Sequence, residues 1–235
     1  MATLKTIQNQ LRAIADPATA RISQGFFKTA PGQYGEGDIF LGIKVPILRG
    51  LVKIFRNTPL EVIAKLLKSK FHEERLFALL LLIDFYQHGD DSSKEGAYDL
   101  YLTHTLFINN WDLVDVSAPN IVGDFLSTRS RQPLYQLVAS DSLWERRIAI
   151  ISTFCFIRRN EFTDTLLISK QLLSDSHDLI HKAVGWMLRE VGKRDQATEE
   201  EFLRAHYHSM PRTMLRYAIE RFPETRRKQY LAGLA

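Results

Sequence analysis

Apolar residues recur along this chain at the spacing of an amphipathic α-helix, three or four positions apart. No stretch shows sustained alternation of apolar and polar residues, and no Asn-Gly or Asp-Gly turn signals a hairpin. The pattern therefore predicts an all-α protein with about a dozen helices. The first helix is predicted by four apolar residues on one face, Leu4, Ile7, Leu11 and Ile14.

Polar residues mark several predicted helix starts. Asp16 and Thr58 each precede a proline, which suits a capping side chain followed by proline in the first turn. Thr58, Ser142 and Thr198 are each followed three residues later by glutamate, the spacing of a capping box. The longest apolar run covers residues 76–83 and is far shorter than the roughly 20 residues of a membrane span, so it predicts a buried helix.

Five segments resemble one another, each opening with polar or basic residues and then turning apolar. They begin at His72, Asn109, Leu143, Leu179 and Arg212, and each follows another helical stretch. Corresponding residues of the first four segments are spaced by 36, 36 and 35 positions: Arg75, Trp111, Arg147 and Lys182. This spacing is close to that of HEAT repeats. We therefore expect residues 1–235 to form a single HEAT-like α-solenoid domain with a concave binding surface.

The repeat places several chemically distinctive residues in one register. Trp111 and Asp115 are four residues apart and share a helix face. Arg147 corresponds to Trp111 in the next repeat, and Trp186 corresponds to Asp115 two repeats later. Each also has a structural explanation: the tryptophans as core residues, Asp115 as an exposed polar position or ion-pair partner, and Arg147 as a partner of a nearby carboxylate. Asp112 suits the dipole of a helix start.

Composition indicates a cellular compartment, and the charged residues are unevenly distributed along the chain. The 235 residues are 45% hydrophobic and 25% charged, which excludes disordered and fibrous classes. A single cysteine, Cys155, predicts a reducing compartment and, with no secretory or membrane signal, a soluble cytoplasmic protein. The net charge of +4 is uneven: residues 84–124 carry eight acidic residues against Lys94 alone, whereas residues 181–235 carry eleven basic and seven acidic residues.

One glycine-rich segment, residues 31–38, could be compared with a dinucleotide-binding loop. Such a loop follows a strand and opens a helix, and no strand is predicted here, so we interpret it as a flexible connector. The paired histidines of the chain lack the cysteine or carboxylate framework of a zinc site, so we expect no metal and no cofactor.

The chain resembles the AlkD-type DNA glycosylases of alkylation repair, a family of HEAT-like solenoids. Four segments carry the resemblance: Phe40-Leu-Gly-Ile-Lys-Val-Pro-Ile-Leu-Arg49, Trp111-Asp-Leu-Val-Asp115, Trp144-Glu-Arg-Arg147 and Lys182-Ala-Val-Gly-Trp-Met-Leu-Arg-Glu190. The resemblance implies functional roles for Trp111, Asp115, Arg147 and Trp186, the residues that the repeat register had already aligned. The chain departs from some members at Asn110, where they carry a second tryptophan. It also has Phe26 and Phe27 where some carry tyrosine, so a stacking face is kept without a hydroxyl.

The resemblance implies a monofunctional glycosylase that excises cationic N3- or N7-alkylated purines from duplex DNA. Asp115 would stabilise the oxocarbenium-like sugar and orient water, while Trp111 and Trp186 would offer π faces to the cationic nucleotide. Arg147 would anchor a phosphate near the lesion, and further phosphate contacts are expected from basic residues of the C-terminal repeats: Lys182, Arg189, Lys193 and Arg194. We expect a monomer that needs only double-stranded DNA as partner. The alternative is a non-catalytic HEAT-like module that binds DNA or protein.

Overall fold

A computed structural model describes residues 2–235 of the chain, and these residues fold almost entirely into helices. Within this range the one extended pairing is an isolated parallel bridge between Ile39 and Phe71, so the predicted all-α class is confirmed. The chain divides into two compact units, one ending at Ser117 and the other beginning at Ala118. The prediction of one domain over residues 1–235 stays a prediction. In the part of the chain described, no helix is long and apolar enough to cross a membrane.

The first unit is built around one long, nearly fully buried helix, α5. The neighbouring helices α3, α4, α6 and α7 pack against it. Its apolar stretch, residues 76–82, is buried, as the sequence predicts for this run. The helices of the unit are α1 (Leu4–Ala13), α2 (Pro17–Phe26), α3 (Val45–Phe55), α4 (Leu60–Leu67), α5 (His72–His88), α6 (Asp91–Thr103) and α7 (Trp111–Ser117), with a 3₁₀ turn over Thr105–Phe107.

The second unit is organised around α13, which packs against α10, α12, α14 and α15. It opens with a π-helical turn over Pro119–Gly123, and 3₁₀ turns cover Leu172–Ser174 and Ile219–Arg221. Its α-helices are α8 (Asp124–Leu126), α9 (Gln132–Val138), α10 (Leu143–Ser152), α11 (Phe154–Ile157), α12 (Thr163–Gln171), α13 (Asp178–Gly192), α14 (Gln196–His206), α15 (Arg212–Ala218) and α16 (Glu224–Ala232).

The helix pairs follow the repeat read from the sequence. Each of the five repeated segments forms a helix, namely α5, α7, α10, α13 and α15, and each follows another helix. Within the units, successive members pack side by side: α5 with α7, α10 with α13, and α13 with α15. Corresponding positions on these neighbouring helices are therefore brought close, as the repeat predicts.

Two predicted helix starts are confirmed and two are wrong. Asp16 caps α2 by accepting the backbone N–H groups of Ala18 and Thr19, and Ser142 caps α10 by accepting that of Glu145. Thr58 instead donates its hydroxyl to the carbonyl of Phe55, and α4 begins one residue after Pro59. Thr198 lies inside α14, because the carboxylate of Asp195 caps that helix three residues earlier.

A buried carboxylate fixes the segment that leads into α3. Glu73, in the first turn of α5, accepts the backbone N–H groups of Leu41, Gly42 and Ile43 at 2.8, 2.7 and 3.2 Å. Gly42 has a φ of +81°, and a Cβ at this position would lie 2.1 Å from the carbonyl oxygen of Asp16. Only glycine fits here without moving the backbone, so the structure explains why residue 42 of the segment Phe40–Arg49 is glycine.

Candidate functional site

Trp111 and Asp115 lie one helical turn apart on α7, as the sequence predicts, and both are partly buried. The side-chain oxygen of Asn110 accepts the backbone N–H of Trp111 at 2.8 Å and so caps the helix start. Burial raises the pKa of Tyr101 well above its usual range, and the nearby negative charge of Asp115 adds to the effect. The carboxylate of Asp115 thus lies near a neutral phenol and beside an indole.

The indole of Trp111 belongs to an aromatic cluster whose other members are Phe27, Phe40 and His72. Phe27, the residue that follows α2, is stacked on Trp111 with ring centroids 5.3 Å apart and an interplanar angle of 24°. Phe27 also stacks on Phe40 at 5.0 Å, and Phe40 stacks on His72 at 4.5 Å. Each such pair contributes about 0.5–1.5 kcal/mol beyond area burial, so the cluster limits the orientations open to the indole.

Beneath the cluster lies what we call the His72 network, formed by Asp38, His72, Arg75 and Asp112. The ring of His72 is 2% exposed, and its Nδ1 and Nε2 lie 2.8 Å from carboxylate oxygens of Asp38 and Asp112 respectively. A guanidinium N–H of Arg75 donates to the other oxygen of Asp38 at 2.6 Å. The network therefore ties the end of the glycine-rich loop, α5 and the first turn of α7 together.

The network holds its histidine as a cation. Burial by itself disfavours the charged ring, but hydrogen bonds and charges from Asp112 and Asp38 outweigh it and raise the pKa of His72 to about 9. Burial opposes the charged form of Asp38 too, yet the hydrogen bond from His72 and the charge of Arg75 lower the pKa of that carboxyl. The negative charges of the two carboxylates are thus balanced by the positive charges of His72 and Arg75 in the interior of the unit.

The sequence did not identify the His72 network. Asp112 does lie in the first turn of α7, as expected for the helix dipole, but its main partner is His72. Arg75, aligned with Trp111 by the repeat, is 4% exposed and is used to bind Asp38 and the carbonyl of Ser69. The signal available was Asp38 at the end of the glycine-rich loop, an acidic residue directly before an apolar segment.

In the second unit, Arg147 and Trp186 lie on neighbouring helices, α10 and α13. Arg147 is 4% exposed, and one guanidinium nitrogen donates to the carbonyl oxygen of Leu179 at 2.5 Å. Trp186 is partly buried; its indole N–H donates to Glu190 at 3.0 Å, and its ring lies 5.9 Å from that of Phe154. One face of Trp186 is therefore fixed by contacts within its own helix and with α11.

The cations expected to contact phosphates all have partners within the second unit. Lys182 pairs with Asp178 at 2.7 Å, and Lys193 pairs with Glu190 at 2.6 Å. Arg189 forms an ion pair with Glu220, and Arg194 donates to the carbonyl oxygen of Arg158 at 3.4 Å. The contacts of the two lysines and of Arg194 are exposed or half-exposed and of small individual free energy, so an incoming phosphate could replace them at little cost. The side chain of Arg189 is only 17% exposed and is less available to a phosphate.

The four central residues are divided between the units, with Trp111 and Asp115 in the first and Arg147 and Trp186 in the second. Trp111 and Asp115 lie on the same helix, and Arg147 and Trp186 lie on two helices that pack together. Among residues 2–235 there is no group of three or more His, Cys, Asp or Glu side chains that could hold a metal ion.

Comparison with known proteins places this helical chain in a family. No protein of curated function matches it significantly. A solved structure described as a predicted DNA alkylation repair enzyme from Enterococcus faecalis is similar over 89% of this chain and 97% of its own, with a TM-score of 0.69 and 17% identity, which supports the fold. The family model for DNA alkylation repair enzymes matches residues 7–222. The chain therefore belongs to the DNA alkylation repair enzyme family.

Proposed function

We propose that this protein is a monofunctional DNA glycosylase that hydrolyses the N-glycosidic bond of cationic N3- or N7-alkylated purines in duplex DNA. The observation that carries the proposal is the pairing of Trp111 and Asp115 one turn apart on α7, both partly accessible, with the indole held by Phe27. Family membership supports a role in alkylation repair. The finer assignment rests on the chemistry of these two side chains.

The reaction needs little from the protein because alkylation already makes the purine a cationic leaving group. Breaking the glycosidic bond develops positive charge on the sugar, and a carboxylate beside it stabilises that charge. Asp115 would serve in this way and would also orient the water that attacks the anomeric carbon. The bond electrons leave with the base, which departs neutral, and the water loses its proton to solvent or to Asp115.

The indoles would bind the lesion through their π faces. A cation over an indole is attracted by about 0.5–2 kcal/mol, depending on desolvation, so Trp111 and Trp186 would favour alkylated over normal purines. Arg147 would bind a phosphate near the lesion, and Lys182, Arg189, Lys193 and Arg194 would hold the backbone further along. The protein would act as a monomer inside the cell, at the nucleoid while bound to DNA.

The direct test is release of methylated purines from alkylated duplex DNA, measured by chromatography of the free bases. The wild-type protein should release them, and Asp115→Asn should lower the rate about 100- to 1,000-fold, the usual effect of removing one electrostatic stabiliser. The matched control is Asp99→Asn, which changes an exposed carboxylate on α6 and should leave the rate unchanged. Trp111→Ala should lower the rate less than Asp115→Asn.

The alternative, a non-catalytic HEAT-like module, predicts DNA or protein binding without base release. It is favoured if the wild-type protein binds alkylated duplex yet releases no base. If release occurs but Asp115→Asn equals the wild type, the enzyme assignment stands and the role of Asp115 is wrong.

A further inference from the structure

A polar pocket lies in the first unit at the turn between α4 and α5. Neither Trp111 nor Asp115 lines it. Its volume is about 280 Å³, and its wall includes Lys68, Ser69, Lys70, Arg75, Phe107 and Asn109. Three of these six side chains are cationic, two hydrogen-bond, and one offers an aromatic face.

The two lysines at the mouth of the pocket have no carboxylate partner in the part of the chain described. Lys68 and Lys70 are exposed, and neither forms an ion pair with any carboxylate in residues 2–235; their ammonium groups lie 6.0 and 5.3 Å from the rings of Phe107 and Phe71. Asp38 also borders the pocket, but Arg75 and His72 occupy its two oxygens. Glu36, exposed at the rim, is the one other acidic residue of the lining, and it accepts the backbone N–H of Gly32.

The inner wall supplies hydrogen-bonding groups that the fold itself leaves unused. Arg75 is 4% exposed and fixed by two contacts, to the carbonyl of Ser69 at 3.0 Å and to Asp38 at 2.6 Å. Its Nε–H has no hydrogen-bond partner; the side-chain oxygen of Asn109 has none either, but as an acceptor it would not bind a phosphate oxygen. Orphaned buried donors are costly, and a rigid guanidinium held behind two mobile ammonium groups is suited to a tetrahedral oxyanion.

We propose that this pocket is a phosphate-binding subsite and that it takes a backbone phosphate of duplex DNA. Lys68 and Lys70 would neutralise the charge, and Arg75 would supply a fixed positive field behind them. The inference rests on the proposed function only for the source of the phosphate. It would give the first unit its own contact with the DNA backbone, in addition to those proposed for the basic residues of the C-terminal repeats.

The test measures binding of undamaged duplex by fluorescence anisotropy at several salt concentrations, so it does not depend on catalysis. Each phosphate contact contributes about 0.9 to the slope of log K against log salt, so Lys68→Ala and Lys70→Ala should each lower the slope by about that amount. Between about 50 and 200 mM salt, each variant should lose about 3.5-fold less affinity than the wild type. The double variant should show the same difference of about 3.5-fold, because both lysines neutralise one phosphate and that phosphate contributes to the slope only once.

The matched control is Lys65→Ala, which removes an exposed lysine from the last turn of α4 that does not line the pocket. Glu36→Gln should act in the opposite direction and tighten binding. If the Lys68 and Lys70 variants keep the slope of the Lys65 control, the proposal is wrong. A reduced slope in a protein that releases no methylated purine supports the subsite while the proposed glycosylase activity fails.

A second arm distinguishes a DNA phosphate from a free one. Inorganic phosphate is added at constant ionic strength while the melting temperature is followed for the wild type and the double variant. Stabilisation of the wild type alone, together with an unchanged duplex slope, would identify a free phosphate ligand and overturn the assignment to DNA.

Discussion

His72 lies between the carboxylates of Asp38 and Asp112, and this arrangement makes a quantitative prediction about the pH dependence of stability. Its pKa rises from 6.5, the ordinary value, to about 9 in the folded protein. Since one unit of pKa corresponds to about 1.36 kcal/mol, proton binding by His72 should stabilise the fold by about 3 kcal/mol.

The sign follows from proton linkage. The folded state binds the proton more tightly than the unfolded state, so the stabilisation is complete below about pH 6.5 and is lost as pH rises towards 9. His72→Gln removes this titration. We therefore expect the stability lost through the substitution to be about 3 kcal/mol larger at about pH 6 than at about pH 9.5.

Urea unfolding followed by far-ultraviolet circular dichroism at a series of pH values measures this difference. His208→Gln is the matched control, because it removes an exposed histidine outside the network. Comparing variant and wild type at each pH cancels the titration of other groups. An equal cost of His72→Gln at both ends of the range would refute the assignment of His72 as a buried cation, as would a ring titration midpoint near 6.5 by NMR.

Three further predictions concern packing and burial. Phe27→Ala should cost about 3 kcal/mol in unfolding free energy by calorimetry, because its ring stacks on Phe40 and Trp111 and contacts His72. Phe26→Ala, at a side chain 64% exposed, should cost under about 1 kcal/mol. Burial raises the pKa of Glu199 from 4.5 to about 8, so the folded protein binds this proton more tightly than the unfolded chain does. Stability should therefore fall as pH rises from 4.5 to 8, and Glu199→Gln should flatten that fall in urea titrations. Gly42→Ala should lower the melting temperature by many degrees because its Cβ would strike backbone, while Gly50→Ala, with open space around it, should stabilise α3 by up to about 1 kcal/mol.

The helix pairs could be predicted from the sequence because the apolar period of a helix is a local property. The five repeated segments all became helices at or near the predicted residues. Two helix starts were predicted wrongly for a local reason as well. α4 begins after Pro59 with no side-chain cap, because Thr58 turns its hydroxyl back to the carbonyl of Phe55, and Asp195 caps α14 three residues before Thr198.

The candidate site was predictable only as far as helical spacing reaches. Trp111 and Asp115 are four residues apart, so their shared face follows from the geometry of α7 alone. His72 and Asp38 are 34 residues apart across a loop, and His72 and Asp112 are 40 apart between helices. No period connects such positions, and a buried ion network depends on three-dimensional packing that a single sequence does not encode in any local pattern.

The glycine-rich loop has a consequence for how the chain could change length. Its far end is fixed by Asp38 in the His72 network, and Gly35 is pressed against the carbonyl of Phe27, whereas Gly32 has open space around it. Lengthening a flexible loop costs little, about 0.6 kcal/mol for each doubling. Residues 31–33 therefore form a tolerant insertion point, where a reporter peptide or fluorophore could be placed beside the phosphate pocket without disturbing the anchor on which α7 depends.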